Sequence, residues 1–83
     1  MSTKDKLIER FKSLPKDFTF DELVRLMAFF GFDLANSGAT SGSRVSFVKG
    51  KEELKLHRPH PGSIMKRGVL VAVFRYLHDK KLV

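Results

Sequence analysis

The stretch that decides the fold is Ser43-Arg44-Val45-Ser46-Phe47-Val48, followed by Lys49-Gly50-Lys51-Glu52 and then Glu53-Leu54-Lys55-Leu56-His57. Apolar and polar side chains alternate in both arms, and a Gly-containing polar segment separates them, which predicts two antiparallel strands and a turn. With residues 49–52 as a four-residue loop, Val48 pairs with Glu53, Phe47 with Leu54 and Val45 with Leu56. Apolar then meets apolar on one face, and a slip of one residue breaks that match. The other face sets Ser46 beside Lys55 and Arg44 beside His57. Directly opposed residues have Cβ atoms about 4.5–5.5 Å apart, so an arginine and a histidine share one patch.

A lone hairpin is marginal in water, so its apolar face needs a cover. The flanking sequence supplies helices. Leu7, Ile8, Phe11 and Leu14 predict a helix over residues 4–13, with Ser2 as N-cap and Pro15 as its stop. Thr19 and Glu22 have capping-box spacing and open a second helix carrying Phe20, Leu23, Val24, Met27 and Phe30. Leu26 and Phe29 widen its apolar face, and Gly31 stands where a left-handed residue ends a helix. Residues 32–35 form a short strand candidate, and residues 37–43 are a run of small turn formers. After the hairpin comes the loop Arg58-Pro59-His60-Pro61-Gly62. Gly68 is expected to cap a last helix over 69–79, with the stripe Leu70, Val73, Phe74 and Leu77. The expected fold is α+β: a three-stranded antiparallel sheet with helices on one face, in the order α-α-β-β-β-α. Residues 1–83 are expected to form a single domain, 1–18 a helical extension and 19–83 its core.

Composition narrows the partners. Eighty-three residues suffice for one small core. No apolar run is longer than the six residues 69–74, and residues 1–6 have no apolar stretch of a secretory signal. No membrane partner is therefore expected. The lack of cysteine removes disulfides, thiolate metal sites and a cysteine nucleophile, and it suits a cytoplasmic location. The charge is lopsided. Residues 1–43 hold six basic and six acidic side chains, whereas residues 44–83 hold ten and three, so the whole +7 lies in the second half. Such a bias points to a polyanion, usually nucleic acid, less often an anionic membrane or an acidic protein; the plain alternative is a merely soluble surface.

A helix ending in Gly31-Phe32, a loop leading to Gly42-Ser43-Arg44, two strands, Pro59-His60-Pro61-Gly62 and a final helix together resemble the HicA family. These are small bacterial toxins of toxin–antitoxin pairs, described as ribosome-independent mRNA interferases with a fold like a double-stranded-RNA-binding domain. The resemblance covers roughly residues 20–83 and implies an RNA partner and a HicB-type antitoxin partner. The chain departs from the family pattern in two places. The usual Gly-Ser-His has its histidine, taken as catalytic, replaced by Arg44, and the helix over 4–13 precedes the matching part.

Metal-free RNA cleavage needs a base for the 2′-hydroxyl, an acid for the leaving 5′-oxygen and positive charge for the phosphorane. Imidazole suits the first two, and guanidinium only the third. The candidate catalytic set is therefore Arg44 for phosphate stabilisation, with His57 or His60 for proton transfer. His57 could equally be an exposed strand end, and His60 a ring packed between prolines. Gly42 and Ser43 belong to a run that forms either a phosphate-binding nest or a plain connection. Lys55, Arg58, Lys66 and Arg67 are candidate phosphate contacts, with an ordinary solvated face as the alternative. Phe18 and Phe32 are either base-stacking or, more simply, core. Three histidines, two of them in a proline-broken run, make no zinc ligand set, and no nucleotide-cofactor motif is present. No cofactor or metal is expected.

Overall fold

The computed structural model describes residues 3–36, 44–57 and 64–83. Ser2, the run 37–43 with Gly42 and Ser43, and the loop 58–63 with Arg58 and His60 lie outside the described residues. The elements are α1 (Thr3–Lys12), α2 (Phe20–Phe29), β1 (Asp33–Asn36), β2 (Arg44–Lys49), β3 (Glu52–His57) and α3 (Arg67–Asp79). The sheet is antiparallel in the order β1-β2-β3.

The hairpin has the register that its alternation requires. Arg44 pairs with His57, Val45 with Leu56, Ser46 with Lys55, Phe47 with Leu54 and Val48 with Glu53. One detail differs from the four-residue loop expected. Lys49 also pairs with Glu52, so the turn is the two residues Gly50-Lys51. Gly50 has φ +60° and Lys51 stays at negative φ, the arrangement whose twist matches the flanking strands. β1 adds to the far side of β2, with Leu34 opposite Phe47 and Ala35 opposite Ser46.

Both end signals of α2 are realised. Thr19 is the N-cap of α2: its Oγ1 accepts from the Glu22 N–H at 3.1 Å, and the Glu22 carboxylate accepts from the Thr19 N–H at 3.0 Å. At the other end, Gly31 (φ +90°) donates to Ala28 O, and Phe32 donates to Met27 O at 2.9 Å. That pair of bonds satisfies the last carbonyls of α2 and turns Phe32 into the core, which starts β1 one residue later than expected.

One apolar core joins the layers. Phe11, Leu23, Leu26, Met27, Val45, Phe47, Leu70, Val73 and Leu77 are buried within it, with Leu54 and Leu56 packed partly against it. Phe47 meets Phe20 of α2 at 6.4 Å between ring centroids, and Phe11 of α1 reaches Phe74 of α3 at 5.9 Å. α1 is thus keyed into the core through Phe11. Phe18 and Phe32 are core as well, at 0% and 2% exposure.

The start of α3 corrects the expected boundary. Its N-cap is Lys66, and Gly68 lies inside the first turn. The cause is a contact distant in sequence: Ile64 bridges antiparallel to Thr19, and the Met65 N–H donates to Phe18 O at 2.8 Å. These bonds hold the chain extended up to Met65 and let the helix begin immediately afterwards.

Candidate functional site

Strand alternation divides the hairpin into two chemistries. Leu54 and Leu56 turn toward the helices, while Glu53, Lys55 and His57 are exposed on the opposite face. On that face the backbone register puts Arg44 directly across from His57, and Ser46 across from Lys55. Lys55 Nζ lies 3.9 Å from Glu53 Oε1 with both side chains well exposed, so its charge stays available to a ligand.

Ser46 lies across from Lys55 as the register requires, but it is buried. It occupies the central strand between Ala35 and Lys55 and is 1% exposed. Its Oγ has no hydrogen-bond partner among the described residues.

Lys66 and Arg67 lie elsewhere, at the N-terminus of α3. They help to line a cleft of about 420 Å³ whose other wall is Leu14, Pro15 and Lys16. The structure therefore joins Arg44 with His57, Ser46 with Lys55, and Lys66 with Arg67. Sequence reasoning missed the partnership of Lys66 and Arg67 with Lys16, because it depends on the Thr19–Ile64 bridge. The apolar pair Ile64-Met65 between the Pro-rich loop and α3 was the one local hint. The remaining histidine, His78, stacks on Phe74 near the C-terminal end of α3, with ring centroids 5.9 Å apart.

Next to the cleft stands the α2 cap. Arg10 of α1 donates through Nε to Glu22 Oε2 at 2.7 Å and through Nη2 to Asp17 Oδ1 at 3.1 Å. The Arg10 hydrogen bond holds the Glu22 carboxyl below the usual carboxylate range; partial desolvation opposes it, and the Thr19 N–H reinforces it. Among the described residues no group of three or more His, Asp or Glu has the arrangement of a metal site.

Residues 20–78 match the family described as HicA toxin of bacterial toxin–antitoxin. The chain belongs to the HicA toxin family. The match starts at the first residue of α2 and ends one residue before the end of α3, so it spans the whole sheet and leaves α1 outside. Membership in the HicA family gives the chain the toxin role in a toxin–antitoxin pair and implies a cognate antitoxin. Neither the curated proteins nor the solved structures compared with the chain give a match. Among the described residues no helix is long and apolar enough to cross a membrane.

Proposed function

We propose that this HicA-family toxin binds RNA on the outer face of the hairpin and cleaves it there without a metal. The observation that carries the reading is the cross-strand pairing of Arg44 with His57, two residues along the strands from Ser46 and Lys55, on the face where Lys55 and His57 are exposed. The 2′-hydroxyl attacks the adjacent phosphorus as His57 takes its proton, and the P–O5′ bond breaks as the leaving oxygen is protonated. The products are a 2′,3′-cyclic phosphate and a 5′-hydroxyl. Arg44 supplies the fixed positive charge for the phosphorane, and Lys55, with Arg58, holds flanking phosphates. His60 is the second proton carrier, and Gly42 and Ser43 offer backbone N–H groups to the phosphate. In the cell, a HicB-type acidic antitoxin masks this basic face, and cytoplasmic mRNA is the target.

The test is cleavage of a defined RNA by the purified chain in EDTA. His57→Ala is expected to slow cleavage by about 10²–10⁴-fold, the usual worth of a positioned acid or base. Arg44→Lys is expected to lower it too, because a point charge does not reproduce a planar fork. A doubly substituted His57→Ala/His60→Ala chain that cleaves as fast as the parent overturns the assignment of proton transfer.

Arg44 itself favours a second reading, since it stands where the family pattern has histidine. A chain with that replacement is a toxin relative that binds RNA, or its antitoxin, without cutting. Arg44→His separates the two. A large gain in cleavage marks the natural chain as binding-competent and catalytically impaired.

A further inference from the structure

The cleft between the α1–α2 connection and the start of α3 takes no part in the proposed chemistry on the sheet. Its walls come from two distant segments, Leu14, Pro15 and Lys16 on one side and Ile64, Lys66 and Arg67 on the other. The first wall lies outside the residues that match the family. Ile64 is 48% exposed, a large apolar side chain open to the cleft. Around it stand three exposed cations, and none of the ion pairs among the described residues involves Lys16, Lys66 or Arg67.

The wall is also preformed. Leu14 sits in the left-handed region at φ +50°, held by its N–H bond to Phe11 O at 2.9 Å and followed by Pro15. A branched side chain in that conformation is strained by about 1–2 kcal/mol, and the proline fixes the next φ. The opposite wall is fixed by the Thr19–Ile64 bridge. A ligand entering here orders little of the protein.

An aliphatic floor with a cationic rim selects among polyanions. Single-stranded RNA is usually held by aromatic platforms as well as charge, and among the described residues no aromatic side chain lines this cleft. A free phosphate would leave Leu14 and Ile64 unused. We propose that the cleft docks an acidic polypeptide segment, seating one aliphatic side chain against Leu14 and Ile64 while flanking carboxylates meet Lys16, Lys66 and Arg67. The charge complementarity is local, and the site is separate from the Arg44–His57 pair.

The probe is a fluorescently labelled heptapeptide, Glu-Asp-Asp-Leu-Glu-Asp-Glu, titrated with the full chain and followed by anisotropy. Its control has Gly in place of Leu. The leucine peptide is expected to bind about tenfold to a hundredfold more tightly than the control, the worth of one buried aliphatic side chain. Lys16→Glu and Ile64→Ser, on opposite walls and both exposed, are each expected to weaken binding by about tenfold or more. Lys51→Glu, an equal charge change on the hairpin turn, is expected to leave it unchanged. Equal binding of the two peptides, or equal loss with Lys51→Glu, overturns the proposal by showing only bulk charge. Displacement of the peptide by a uridine heptanucleotide that itself loses affinity with Ile64→Ser overturns it in favour of RNA. His57→Ala is expected to bind the peptide like the parent, so failure of the ribonuclease reading and failure of this one are told apart.

Discussion

Two helix N-termini stand side by side in this molecule, and they are built in opposite ways. α2 begins with Thr19, Asp21 and Glu22: its orphan N–H groups are capped, and its dipole faces carboxylates. Arg10 then neutralises Glu22 and fastens α1 to the corner. α3, joined to that corner through the Thr19–Ile64 bridge, begins with Lys66 and Arg67. It has no side-chain cap and no acid in its first turn. The first terminus is organised for stability. The second adds positive side chains to the positive end of a dipole, an arrangement unfavourable for folding that an incoming anion relieves. The +7 excess of the second half is therefore not spread evenly as a solvated coat; part of it converges on one cleft.

The largest effect expected tests whether α1 belongs to the capped corner. Phe11 is fully buried and meets both Phe18 and Phe74. Phe11→Ala is expected to cost about 3–5 kcal/mol, measured by urea unfolding, since a large aromatic leaves a cavity. A loss under about 1 kcal/mol would mean that α1 is an appendage and that the cleft's first wall is loosely held. Thr19→Ala comes next. Loss of a cap of this kind costs about 0.5–2 kcal/mol, and the same unfolding curves read it.

Acid sharpens the contrast further. The folded-state pKa of Glu22 is depressed, so its contribution is fully present above the unfolded value near 4.5 and is lost as pH falls through the lower folded value. Thermal midpoints are expected to drop on acidification below about pH 4.5, and Glu22→Gln is expected to shrink that drop. The α3 terminus, with no carboxylate in its first turn, contributes nothing to it.

What could be read from the sequence was local, and what escaped it was not. The hairpin register follows from Val45, Phe47, Leu54 and Leu56, because strand periodicity leaves one pairing that puts apolar against apolar. The Thr19–Glu22 capping box and the Gly31 turn are short-range chemistry, legible within a few residues. The start of α3 was hidden. Lysine is not a usual N-cap, and the bonds that place it come from Phe18 and Thr19, more than forty positions earlier. The burial of Ser46 was hidden for a similar reason: alternation assigns it a face but does not say that β1 flanks it with Ala35. The pairing of Arg44 with His57 was legible because it rides on the hairpin register. The cleft was not, because its two walls meet only in the folded chain.

The smallest effect is also the sharpest test of the comparison. Lys66 already has the extended backbone of an N-cap, φ −71° and ψ 144°, but no side chain that accepts from the first turn. Lys66→Asp supplies an acceptor and places negative charge against the helix dipole, at a position where the side chain is exposed. Stability is expected to rise by about 0.5–1 kcal/mol, or several degrees in thermal midpoint for a domain of this size. The same substitution puts a carboxylate on the rim of the cleft, so binding of the acidic leucine peptide is expected to fall by about tenfold or more. The two readouts move in opposite directions only if the bare terminus is kept for a ligand. Should stability rise while peptide binding stays at the parent level, α3 simply has a poor cap, and the difference between the two N-termini carries no function.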